Sequence, residues 1–137
     1  MRWLELGASG SRRGHGGARP TGERDRARDS VMEAVRLAPT LVPAAVLASK
    51  FLSESQQIRQ AMRIIEAAWA AQPHPDLADA YAHVKLGDSA RQRLSRVETL
   101  AAKAPGHLES ALAVARAAID ASDFERARKA LAPFLAA

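Results

Sequence analysis

The side chains best suited to acid–base chemistry or ligation are four histidines, His15, His74, His83 and His107. Imidazole changes charge near neutral pH and ligates metals and haem iron. Two ligands on one helical face sit three or four residues apart, and no pair here does; His74 and His83, nine apart, fall on a turn and a helix. They read as turn or surface residues. The alternative is a haem contact through His74, His83 or His107, which needs a second ligand from elsewhere. Asp76 and Asp79 share a helical face, but negative charge near a helix N-terminus is favourable against the dipole and needs no catalytic role. The glycines at 14, 16 and 17 lead into no helix with the Lys and Ser/Thr of a phosphate loop. There is no cysteine, which excludes disulfides, thiolate metal sites and cysteine nucleophiles. The chain therefore reads as no enzyme, with no metal site and no cofactor.

The elements that carry these residues announce themselves by a repeat. Pro39 and Pro73 lie 34 residues apart, and the same offset carries Ala34 to Ala68 and Ala27 to Ala61. Pro105 follows Pro73 by 32, yet an offset of 66 carries Ala45 to Ala111, Ala48 to Val114, Ile58 to Phe124, Ala61 to Ala127, Ile65 to Leu131 and Trp69 to Leu135. Thirty-four residues is the tetratricopeptide period, a helix–turn–helix unit stacked on copies of itself. Small residues let the two helices of a hairpin approach, larger apolar ones fill the seams, and proline closes each unit. The expected fold is all-α, a tetratricopeptide-like helical-hairpin solenoid of about seven helices. A half repeat spans 24–39, and repeats span about 40–73, 74–105 and 106–137. The expected helices are Asp25–Leu37, Leu41–Ser53, Gln56–Ala71, Asp76–Val84, Ser89–Lys103, His107–Ala121 and Phe124 to the end. Asp88 or Ser89 should cap the fifth helix, Ser122 or Asp123 the last, and Pro133 should kink or finish it.

Composition agrees, being 47% hydrophobic but only 4% aromatic, which suits close-packed helices. Residues 1–23 are Gly- and Arg-rich without apolar period and read as a disordered tail. The net charge of +5 is concentrated there: residues 1–30 hold seven Arg against four acids, leaving thirteen basic and eleven acidic residues for the rest. Nucleic-acid binding would rest on that tail alone and is disfavoured. No stretch approaches the roughly 20 apolar residues of a membrane-spanning helix, so the chain reads as soluble as given.

A stack of this kind binds a protein or peptide partner on the concave wall built by first helices. Lys50, Glu54, Glu109, Arg116 and Asp120 fall on that wall as a mixed-charge strip. Tyr81 lies on the short first helix of the middle unit, a packing residue able to touch a partner as well. Arg91, Arg93 and Arg96 form the densest basic cluster, on a second helix and so on the outer wall. Repeats that clamp a C-terminal carboxylate use Lys and Asn from first helices; this chain has no Asn.

The runs LAPTLVPAAVLASKFL, RIIEAAWAAQPHPDLADAYAH and GDSARQRLSRVETLAAKAPGHLESALAVARAAIDASDFERARKAL resemble the tetratricopeptide region of the alphaproteobacterial HemY-type, haem-biosynthesis-associated membrane proteins, over about Asp25 to Ala137. The distinctive pieces are Trp69 with Pro73, His74, Pro75, Asp76 and Leu77, and the short unit holding Tyr81, Gly87, Asp88 and Ser89. The resemblance implies an inner-membrane protein whose helical-repeat domain follows two transmembrane helices. It also implies a scaffold tied to late tetrapyrrole metabolism, with a haem-pathway enzyme as partner. It does not imply the flavin-dependent oxidase of the same name. The chain lacks both membrane helices, and residues 1–23 match nothing in the family, which suggests a truncated or mis-started reading frame.

Overall fold

A computed structural model describes residues 20–135, with side chains from residue 22. Its seven helices are α1 (Pro20–Leu37), α2 (Val42–Glu54), α3 (Ile58–Ala71), α4 (Pro75–Ala82), α5 (Ala90–Ala101), α6 (Leu108–Asp120) and α7 (Phe124–Leu135). No strand occurs among the described residues, and the protein is all-α. Boundaries match the sequence reading within about two residues, except that α1 begins at Pro20. Residues 20–23 thus belong to a helix and not to the expected tail; the remainder of that tail, with His15, lies outside the described residues. Proline at the first turn costs no hydrogen bond, which accommodates Pro43 as the second residue of α2 and Pro75 as the first of α4. Ser89 caps α5 in a reciprocal capping box with Gln92. Asp123 Oδ1 accepts the Arg126 N–H at the start of α7. Pro133 does not finish α7; the helix runs past it to Leu135.

The 66-residue register reappears as backbone geometry. Gln56 and Ser122, in the α2–α3 and α6–α7 turns, both take left-handed φ, 66° and 60°. Around them the bonds are equivalent pairs. Gln57 N–H donates to the Leu52 carbonyl at 2.8 Å and Asp123 N–H to that of Ala118 at 2.7 Å. Gln56 N–H donates to Ser53 and Ser122 N–H to Ile119. A left-handed residue followed by an i→i−5 bond is a helix C-terminal closure that reverses the chain in a few residues. The middle hairpin closes differently, through Gly87 at φ 90°. Its first helix has only eight residues.

Helices neighbouring in sequence pack together, and α4 also touches α2 and α6. The first helices α2, α4 and α6 therefore form one continuous row. The second helices are joined by side chains: Arg96 of α5 reaches Met62 Sδ of α3, and Arg126 of α7 pairs with Glu98 of α5 at 2.7 Å. This is compatible with a stack of tetratricopeptide type. The main core joins Ile65 and Trp69 of α3 to Leu77 and Tyr81 of α4, Leu94, Val97 and Leu100 of α5 and the alanine-rich face of α6. Ala45, Ala48, Ala61 and Ala118 are fully buried, as close hairpin contacts require. A smaller cluster seats Val31 and Val35 of α1 on Ala44 and Ala48 of α2. Ala27, expected on that packed face, is exposed; burial in α1 begins only at Val31.

Candidate functional site

The row of first helices carries three pairs at i, i+4 spacing: Lys50 and Glu54 on α2, Asp79 of α4 with its C-cap residue His83, Arg116 and Asp120 on α6. All lie in the C-terminal halves of their helices or at the helix end, and all six are exposed. Two clefts adjoin them. One, of about 560 Å³, is bounded by Lys50, Glu54, Asp79, His83, Lys85 and Leu86, over a floor including Val46 and Ile58. The other, of about 110 Å³, lies between α4 and α6 and is lined by Asp79, His83, Arg93, Arg116 and Asp120 around Ala78, Val97, Ala113 and Ala117. Asp79 and His83 line both, so the two clefts meet at α4.

The electrostatics alternate. One turn presents Lys50, Asp79 and Arg116; the next presents Glu54, His83 and Asp120. His83 Nδ1 lies 3.4 Å from an Asp79 carboxylate oxygen and 3.0 Å from the Asp79 carbonyl. Glu54 is bridged to Arg24 of α1, whose guanidinium also sits 5.1 Å above the Phe51 ring. The Arg24 hydrogen bond, first among the causes, holds the Glu54 carboxyl below its usual range. Leu86 stands almost wholly in solvent, 94% exposed, at the rim of the larger cleft. The surface thus offers an apolar floor with charges of both signs.

Four of the six residues expected on the concave wall, Lys50, Glu54, Arg116 and Asp120, line these clefts. Tyr81 does not: its ring is fully buried, and its hydroxyl donates to Glu66 Oε2 of α3 at 2.5 Å. Burial and that carboxylate push its pKa well above the usual phenol range. Contrary to the expectation that it can touch a partner, Tyr81 belongs to the core. Glu109 is also displaced, since it sits in the first turn of α6, at the other end from the clefts, with Oε1 buried and meeting no donor. Asp79 and Arg93 are cleft residues that the sequence reading assigned elsewhere. Arg93, on a second helix and so expected on the outer wall, lines the α4–α6 cleft because α4 is short, with Nη1 donating to the Asp88 carbonyl at 2.6 Å. The rest of the basic cluster is engaged within the chain, Arg91 near Asp123 at 3.8 Å and Arg96 with Asp88 at 2.6 Å.

Two histidines have a structural role invisible in their spacing. His74 and His107 are the N-cap residues of α4 and α6, and each Nδ1 accepts the backbone N–H two residues on, Asp76 or Glu109, at 3.0 Å. His-Pro-Asp and His-Leu-Glu, each opening a helix with an acid at the second position, were the available signal. Replacing either histidine by Ala should cost about 1 kcal/mol, whereas Asn should retain most of the cap. Urea unfolding of the four single variants tests this; Ala variants as stable as the Asn variants would show that the caps contribute nothing.

No group of three His, Asp or Glu that could hold a metal occurs among the described residues. No helix among them is long and apolar enough to cross a membrane. No family model, curated protein or solved structure matches the chain.

Proposed function

We propose that the chain is a non-catalytic protein-interaction module of tetratricopeptide type, and that the clefts across α2, α4 and α6 hold a peptide segment of a partner. The observation that carries this reading is the alignment of two opposite-charge pairs, Lys50 with Glu54 and Arg116 with Asp120, and of the Asp79–His83 pair between them, beside two clefts that share Asp79 and His83. An extended or helical segment laid across three helices would meet apolar floor centrally and alternating charge along its edges. Such charges set register and specificity more than affinity. In this reading the module acts as a scaffold, and its partner is a haem-pathway enzyme. Attachment to the inner membrane would come from a segment outside the described residues. Those finer statements rest on the resemblance to the HemY-type region alone.

Direct haem handling gains no support from the geometry. His74 and His107 spend Nδ1 on helix caps, and His83 faces Asp79. Nucleic-acid binding would rest on the tail, most of which lies outside the described residues.

Peptides selected from a random library against the whole chain test the proposal. Reversing charge at Lys50 and Arg116 together should weaken the selected peptides at least tenfold with melting temperature nearly unchanged, since exposed charges add little stability. Reversal of Arg59 and Arg63, which line a separate cleft along α3, is the control. If the control abolishes binding and the Lys50 and Arg116 reversals do nothing, the cleft reading is wrong.

A further inference from the structure

The charges along the two joined clefts are not equally free to meet a partner. Glu54 is bridged to Arg24 of α1, and Lys50, one turn before it, adds only a weaker pull from beyond ion-pair distance. Asp79 lies against His83. The cations stand differently: Lys50 and Lys85 line the larger cleft and Arg93 and Arg116 the smaller, and none of the four forms an ion pair among the described residues. Arg93 donates to a backbone carbonyl, which leaves its charge uncompensated. With Glu54 held by α1, four cations therefore face two acids, Asp79 and Asp120.

We infer that the joined clefts select an acidic segment of a partner protein, with one carboxylate meeting Lys50 and Lys85 on one side of α4 and another meeting Arg93 and Arg116 on the other. This rests on the peptide-binding reading above and adds the partner's chemistry to it. Charge complementarity sets the sign, and a guanidinium fork suits a carboxylate. The apolar floor sets the class of ligand: the larger cleft holds its lysines around Val46, Ile58, Ala80 and Leu86, which an apolar side chain between two acids would cover and a phosphate backbone would not. The spacing follows from the row of helices. Packed helices lie about 8–10 Å apart, so α2 to α6 across α4 is about 16–20 Å, which about five or six extended residues span at about 3.3 Å each. Arg24 gains a role as well, because by holding Glu54 it masks an acid that would repel such a segment.

The probe is a synthetic peptide of about ten residues with a central Leu and two Glu about five residues apart, compared with versions carrying Gln or Lys in place of both Glu. Titrated into the isotope-labelled full chain, the Glu peptide should shift the amides of Lys50, Asp79, His83 and Arg116 and bind about tenfold more tightly than the Gln peptide at low salt. The Lys peptide should be weakest. Lys85→Glu should remove most of that advantage with melting temperature little changed, as the residue is exposed. Arg24→Ala should weaken the Glu peptide several-fold by unmasking Glu54, and adding Glu54→Gln should restore it, which simple damage to α1 would not allow. Library-selected peptides that bind the clefts without an excess of Asp and Glu, or a Gln peptide as tight as the Glu peptide, would overturn the acidic selectivity and leave the peptide-binding reading standing. If neither the designed nor the selected peptides shift the cleft amides, that reading fails and this inference with it. Glu-peptide shifts at Arg59 and Arg63 instead, or its displacement from the clefts by a more tightly bound single-stranded oligonucleotide, would also overturn the inference, by moving the site or by making phosphate the ligand.

Discussion

Trp69→Ala should cost about 3–5 kcal/mol, the range for truncating a buried aromatic. A small domain has roughly 5–15 kcal/mol in all, so the variant should lose much of its cooperative transition in urea. Trp69 has no exposed surface and packs in the cluster that joins α3 to the α4–α5 hairpin and to α6. Its removal opens a cavity where hairpins meet, and the alanine-rich surroundings have few long side chains to collapse into it. The register supplies a control. Leu135 holds the equivalent position 66 residues on but is 77% exposed, so Leu135→Ala should cost well under 1 kcal/mol, as surface changes do. Equal costs would mean that Leu135 is covered and that the end of the stack is not open.

That contrast shows what was legible in the sequence. The 34- and 66-residue offsets relate the first and last hairpins to each other, and Ala61, Ala68 and Trp69 are buried as the repeat demands. Periodicity reports which face of a helix is apolar; it does not report whether the next unit is present to cover it. Trp69 and Leu135 look equivalent in sequence and differ wholly in burial. The irregular middle unit was the least legible part. A first helix of eight residues cannot be aligned by a 34-residue offset, so Asp79 was not matched with Lys50 and Arg116. The position of Arg93 in the cleft is hidden for the same reason. The burial of Tyr81 is not legible either, because its acceptor, Glu66, lies 15 residues away on another helix. Such a pairing depends on tertiary packing and leaves no local trace.

The same middle unit supplies the second large effect. Asp88, in the turn between α4 and α5, is only 6% exposed at its side chain, and its Oδ2 accepts from Arg96 Nη2 at 2.6 Å, with the Arg96 side chain 20% exposed. Arg96 also directs Nη1 at Met62 Sδ, at 3.8 Å, while its Nε is buried without an acceptor. Asp88→Ala would leave the guanidinium mostly out of water with its counter-charge gone, and breaking a buried pair from one side costs about 3–5 kcal/mol. The remaining exposure of Arg96 places the expected cost at the lower end of that range. Arg96→Met removes the charge and keeps an apolar stem beside Met62, so it should cost less. The double variant should recover most of the loss, because replacing both members of such a pair by apolar groups is often close to neutral. A double-mutant cycle from urea midpoints isolates the coupling, since the two residues touch and additivity must fail. Strictly additive costs would show that the pair is an ordinary solvated ion pair. Asp88 would then not fasten the start of α5 to α3, and the placement of Arg93 in the α4–α6 cleft would need another support.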